Sequence, residues 1–392
     1  MCIRDRLVHR RGMHLVNGNA LVAALAASAF DAGVEIRVCS PARRLLRRHG
    51  RVTGAVVGSP HGDVEIHAAR GVVLACGGFP HDAARKKVLL PHASTGHAHW
   101  SAASRGNTGD GLRLGEAVGG VVARDLAQAA ALAPVSLVPR ADGSVAHFPH
   151  LLERGKPGLI AVTRTGARFT NEADSYYDFM CGLLAATPTG QPFEAWLVCD
   201  HGFLRHYGLG AVKPAPMPIS RLLRNGYLKR GRTLDELAGI CGIDAPALKA
   251  TAERYNAQAL KGQDPDFRKG ETPYNRVQGD AAAGHPNPCM APLQKAPFYA
   301  VKVVPGSLGT FAGLQVNANA QVLDEQGEPI AGLYAGGNDM NSVMGGHYPS
   351  GGITLGPAMT FGFIAAHHAG APHPEHHTLQ RRRNEREPAP IE

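Results

Sequence analysis

Small and apolar residues recur at helical spacing in NGNALVAALAASAFDAG from Asn17, and Gly33 offers the left-handed stop that ends such a helix. Short β-branched runs follow: VEIRVCS, RVTGAVV, DVEIHAA and GVVLACGG, punctuated by Gly, Pro and Asp. A helix and then strands predict an α/β fold, with strands too apolar for a sheet solvated on one face. From about residue 126 the texture changes: prolines gather, helices shorten, and RTLDELAGICGIDAPALKATAERYNAQAL is the clearest helical region, capped by Thr233. Strand texture returns after Pro297 with FYAVKVV and GLQVNANAQVLDEQGEPIAGLYAGGN. A glycine-rich loop then leads into the apolar run ITLGPAMTFGFIAAHHA.

These shifts predict four segments: 1–125 and 301–370 as two parts of one nucleotide-binding domain, 126–300 as an inserted α+β cap, and 371–392 as a disordered tail. The opening MCIRDRLVHRRG shows no strand alternation, and no G-x-G-x-x-G with its following acidic residue occurs. The chain is therefore expected to begin inside a dinucleotide-binding fold.

Composition narrows the class. Of 392 residues, 44% are hydrophobic, enough apolar surface to offset the entropy of ordering and to exclude global disorder. No apolar run approaches the roughly 20 residues that span a bilayer, so a soluble protein without an integral membrane segment is expected. The net charge of +9 favours anionic ligands or cofactors but is spread thinly. Its densest run, Arg43, Arg44, Arg47, Arg48 and Arg51, alternates with Leu45 and Leu46 and ends at a glycine turn. A solvated hairpin is expected there, and no nucleic-acid partner, since no nucleic-acid-binding motif accompanies it. The seven cysteines lie at least 18 positions apart without a C-x-x-C pair, which points to reduced thiols and a cytoplasmic setting. The histidines show no H-x-x-x-H helix pair with an acidic partner, and PHPEHH falls in tail composition, so no metal is expected.

Four motifs carry candidate chemistry. In GLYAGGNDMNSVMGGHYPSGGITLGPAMTFG (332–362), the glycines let backbone approach a flat or anionic group, and Pro357 suits the first turn of a helix whose free amides favour negative charge. GVVLACGGF (71–79) permits close passage of a dinucleotide and equally suits an ordinary strand-to-helix turn. In NTGDG (107–111), Asp110 either caps a helix or bonds a ligand. RTGARFTNEADSYYDFM (164–180) gathers Arg168, Asn171, Glu172, Tyr176 and Tyr177, where a tyrosine either packs or serves as acid or base.

Taken in order, GVVLACGGF, NTGDGLRLG, GARFTNE, YNAQALKGQDPDFRKG, PFYAVKVVPGSLGTFAGL and the 332–362 run resemble the FAD-dependent 3-ketosteroid dehydrogenases of the fumarate reductase/succinate dehydrogenase flavoprotein superfamily, over roughly residues 15–370. The resemblance implies a Rossmann-like FAD-binding domain, incomplete at its start, with a cap domain that closes substrate over the flavin. It implies that Tyr348 and the Gly352 amide hold a ketone oxygen, that Tyr176 removes the neighbouring proton, and that flavin takes the hydride from the next carbon. It places FAD contacts at Ala75, Gly77, Gly78, Asp110, Gly337, Asn338, Thr354 and Leu355. The implied partners are a small apolar ketone, as in steroid metabolism, and an unidentified electron acceptor. Where fumarate reductases of this superfamily carry His and Arg for a dicarboxylate, this chain has Gly306-Ser307-Leu308-Gly309-Thr310 and Gly345-Gly346-His347-Tyr348-Pro349. A fumarate- or enoate-type reductase, with Arg168 as anion-binding candidate, stands as the alternative. So does a non-catalytic fragment that holds no FAD.

Overall fold

The computed structural model describes residues 5, 8–9, 12–94 and 98–371 and divides into two compact units, Met1–Val72 and Val73–Glu392. The segment expected to be a disordered tail lies outside the described residues beyond Ala371, as does most of the opening MCIRDRLVHRRG.

In the first unit the helix Asn17–Asp31 ends where the glycine predicts: Gly33 has φ +72° and its amide closes on the Phe30 carbonyl at 2.9 Å. None of its residues is buried. The basic run forms the predicted hairpin, β1 (Ala42–Arg48) antiparallel to β2 (Arg51–Ser59), with Leu45 and Leu46 buried between exposed arginines. β3 (Gly62–His67) completes this sheet. Two expectations fail. VEIRVCS forms no strand, and Val34, Ile36 and Val38 stay exposed: β-branched composition makes no strand without a ladder partner. The sheet is also one-sided, since β2 alternates buried with half-buried positions and β3 is largely exposed.

The second unit holds the rest. β4 (Val72–Leu74) leads from GVV into the double glycine. A seven-stranded mixed sheet then gathers β5 (Trp100–Ser101), β6 (Ala130–Pro139), β7 (Val145–Pro149), β8 (Leu159–Val162), β9 (Ala195–Cys199), β10 (Lys229–Gly231) and β11 (Phe298–Thr310). β11 is its axis, pairing with β6 and β10 on either part of its length, with β9, and in parallel with β5. Every residue of β8 and β9 is buried, as near-continuous apolar runs require. β12 (Gln321–Leu323), β13 (Pro329–Ala335) and β4 form a third sheet, so β4 and β13 lie side by side.

The long helical region splits into Leu234–Cys241 and Ala245–Lys261. Thr233 caps the first as predicted, its hydroxyl accepting from the Glu236 amide at 3.1 Å. Gly242 at φ +67° ends it, and Asp244 caps the second. The run after the glycine-rich loop becomes the helix Leu355–Gly370, with Pro357 in its first turn. Among the described residues no helix is long and apolar enough to cross a membrane.

Candidate active site

Adjacency of β4 and β13 brings their following loops together. The Gly336 amide donates to the Leu74 carbonyl at 3.0 Å. The buried Asp339 carboxylate, closing the short turn Gly337–Asp339, accepts from the backbone amides of Cys76 and Gly78, the latter at 2.9 Å. One side chain thus ties Ala75, Gly77 and Gly78 to Gly337 and Asn338. Burial raises Asp339 above the ordinary carboxylate value, and the two amides oppose that rise. Two glycines here are obligatory. A Cβ on Gly77 would sit 2.6 Å from the Asn107 amide nitrogen, and one on Gly78 would meet Thr310 and stand 2.9 Å from the Asn338 carbonyl. Both have positive φ.

Asp110 joins this neighbourhood because the Gly109 amide donates to the Gly78 carbonyl at 3.0 Å. It is not the N-cap, which is Gly109. Asp110 is the first residue of the helix Asp110–Glu116, where its carboxylate accepts from Thr108 and pairs with Arg113. Thr354 is the N-cap of the helix Leu355–Gly370 and lines, with Thr310, Gly337, Asn338 and Asn341, a narrow slot beside the turn. Leu355 is exposed at that helix start.

The slot carries its own evidence for a ligand. Thr310 Oγ1 and Asn341 Oδ1 are buried without a hydrogen-bond partner, a cost that bound polar edges would relieve. Backbone stripped of side chains, orphaned polar atoms and a helix start that favours negative charge suit the ring system of FAD.

Beyond Thr354 lie the tyrosines. Tyr176 opens the helix Tyr176–Ala186, capped by Ser175, whose hydroxyl accepts from the Asp178 amide at 3.1 Å. Its ring meets Tyr348 edge to face, centroids 4.8 Å apart, and both are buried in one cluster with Phe311, against which the half-buried Leu308 and Ile353 pack. Tyr177 donates to the Gly346 carbonyl at 3.0 Å and so holds the loop that carries Tyr348. Burial, and then the hydrogen bond to Tyr348, push Tyr176 well above the ordinary phenol range. Burial also raises Tyr348, while Tyr176 and Thr354 pull it back. Gly352, at φ +100° with open space where a Cβ would stand, exposes backbone between Tyr348 and Thr354.

Arg168 does not serve as an anion receptor. Its side chain is 2% exposed and locked onto Glu172 at 2.7 Å and Asp264 at 2.8 Å, with Lys269 Nζ a further 3.2 Å from Glu172. No helix links Arg168 and Glu172, so their spacing carries no signal for the pair, and Asp264 is likewise reached only through the fold. Asp339 is a residue that the motifs leave unassigned, and Arg154 and Tyr274, discussed below, carry no motif at all.

A 4-oxocyclohex-2-ene-1-carboxylate 5-dehydrogenase of Sinomonas cyclohexanicum is 41% identical over 362 residues, covering 92% of this chain and 61% of that protein. A 3-oxosteroid 1-dehydrogenase of Mycobacterium tuberculosis is 38% identical over 372 residues, covering 91% of this chain and 64% of that protein. The crystal structure of the 3-ketosteroid delta1-dehydrogenase from Sterolibacterium denitrificans, in complex with 1,4-androstadiene-3,17-dione, matches with a TM-score of 0.83 at 38% identity, covering 90% of this chain and 63% of that one. This chain therefore spans less than two thirds of the length of each relative. With the family model for an FAD binding domain matching residues 2–355, the chain belongs to the FAD binding domain family.

Proposed function

We propose that the protein is an FAD-dependent dehydrogenase that forms a C=C bond next to the ketone of a 3-ketosteroid-like cyclic substrate. The observation that carries this reading is the buried, edge-to-face contact of Tyr176 with Tyr348 beside Thr354, with the exposed Gly352 four residues further along the same loop. It joins two phenols in an apolar wall. The Tyr348 hydroxyl and the Gly352 amide donate to the ketone oxygen and stabilise the charge that develops there. Polarising the ketone acidifies the adjacent C–H, and Tyr176 removes that proton. FAD supplies, when bound, the acceptor for the hydride that leaves the next carbon. Ala75, Gly77, Gly78, Asp110, Gly337, Asn338, Thr354 and Leu355 hold it, the last two placing a helix start against negative charge. Segment 126–300, which carries Tyr176, serves as the cap, and an external acceptor completes turnover. The relatives named for an oxocyclohexene carboxylate and for 3-oxosteroids share a cyclic ketone, which supports that substrate class. A dicarboxylate fits less well, because Arg168 is already held by two carboxylates. Free thiols at the described cysteines support a cytoplasmic, reducing setting.

The test is anaerobic mixing of the FAD-loaded protein with 3-ketosteroids and with 4-oxocyclohexanecarboxylate. Bleaching of the oxidised flavin band with a ketosteroid supports the assignment. A flavin that stays oxidised with every ketosteroid removes it, and bleaching by the carboxylated ring alone replaces the steroid with the smaller ketone. Oxidation of the reduced protein by fumarate favours the reductase.

A further inference from the structure

Arg154 is 1% exposed, and its hydrogen bonds end on carbonyls rather than carboxylates. Its Nε donates to His150 at 3.0 Å, Nη1 to Glu172 at 2.8 Å, and Nη2 to Asp174 at 3.3 Å and Leu151 at 3.5 Å. Arg168, by contrast, is neutralised by two carboxylates in direct contact. A buried guanidinium held only by dipoles is costly unless negative charge arises within its reach. Burial accordingly brings Arg154 down to about 10.

Its direct contacts tie it to the helix that Tyr176 opens. Glu172 and Asp174 belong to the segment just before the helix Tyr176–Ala186, so the guanidinium fork fixes the approach to Tyr176. The guanidinium carbon also stands 4.7 Å over the ring of Phe179. Phe179 is three residues after Tyr176 and shares its helix face. Arg154 thus lies along the face that presents the Tyr176 phenol. The groups acting on that phenol are Tyr348 from the glycine-rich loop, Tyr274 from the helix Pro273–Gln278, and Arg154. Both tyrosines oppose its ionisation, and Arg154 favours it. Arg154 in turn feels the buried Glu153 carboxylate first, then Tyr274, Glu172 and Asp174, and Glu172 is shared with Arg168 and Lys269.

We propose that Arg154 is the positioning residue for Tyr176: its fork fixes the start of the helix, and its charge stabilises the phenolate through which Tyr176 acts. This rests on the reading in which Tyr176 is the base, so the test needs a readout independent of turnover. A fluorinated tyrosine, which ionises at lower pH, is incorporated at position 176 of the FAD-loaded protein, and its fluorine resonance is titrated against pH. In Arg154→Met the midpoint rises by more than one pH unit, a tenfold or greater change in proton affinity. In Arg154→Lys, which keeps the charge but not the fork, the midpoint stays within about threefold while kcat falls at least tenfold. A midpoint unmoved in Arg154→Met overturns the electrostatic part. Should that variant fail to fold, a kcat for Arg154→Lys equal to the parent overturns the positioning part. A midpoint that moves in a protein that oxidises no ketone leaves the coupling standing and condemns the proposed reaction instead.

Discussion

Tyr176 and Tyr348 meet at 4.8 Å between ring centroids although one opens a helix of segment 126–300 and the other sits in the loop after β13. Their convergence is what would set the proposed base beside the proposed oxyanion donor. Tyr348→Phe keeps the ring packing against Phe311 and Tyr176 but removes the donor. Loss of one such donor costs about 10²–10³ in rate. We expect kcat/KM for ketone oxidation to fall by that factor with FAD content unchanged. Equal losses of activity and flavin, read from the absorbance of the purified variant, would assign Tyr348 to cofactor binding instead.

The proposed base also sets a pH dependence. Burial, and then Tyr348, hold Tyr176 above the ordinary phenol value of about 10. The active form is deprotonated, so its population grows tenfold per pH unit at every pH below that raised value. We expect kcat/KM to climb with pH through neutrality without levelling by pH 10, and Tyr176→Phe to abolish the climb with the activity. A plateau near pH 7 in the parent enzyme would require a different base.

Local features were legible in the sequence because their partners are near neighbours. The arginine-leucine run read as a hairpin, Thr233 as a cap and Gly33 as a stop, each settled within a few residues. The strand expected at VEIRVCS failed because composition says nothing about whether a ladder partner exists. The candidate site was legible through its glycines, since Gly77 and Gly78 leave no room for a Cβ. Long-range side chains were not. Asp339 bonds amides more than two hundred positions away, Arg154 acts through carbonyls of any residue type, and Arg168 looked free because Asp264 lies far along the chain.

Asp339 gives the next prediction. Its carboxylate satisfies the amides of Cys76 and Gly78, and Asp339→Ala leaves the buried Gly78 donor and the part-buried Cys76 donor without this acceptor. Each unsatisfied donor costs about 1–3 kcal/mol. The cheapest relief is movement of the Ala75–Gly78 loop away from the Gly337–Asp339 turn, which opens the cradle. We expect the variant to be purified with little FAD and to bind added FAD at least tenfold more weakly, while the far-UV circular dichroism stays near that of the parent. Full flavin retention would show that the cradle does not depend on this clasp.

The buried cluster around Glu172 predicts an acid-dependent stability. Burial works to raise this carboxyl, but Arg168 and Lys269 overcome it and bring it from 4.5 to about 2. A folded value below the unfolded one means that the ionised form stabilises the fold above pH 4.5. That contribution is lost as pH falls through the folded value. Removing one partner of such a buried pair costs about 3–5 kcal/mol, because the other charges stay behind uncompensated. Glu172→Gln is therefore expected to lower unfolding stability by that amount at pH 7. The gap to the parent should narrow on acidification below pH 4.5, because the unfolded chain then takes up a proton that the folded carboxylate still refuses. Urea unfolding of both proteins at pH 7 and near pH 3 measures it. A gap that is small at pH 7, or that stays constant down to pH 3, would mean that Arg168 is held by Asp264 alone.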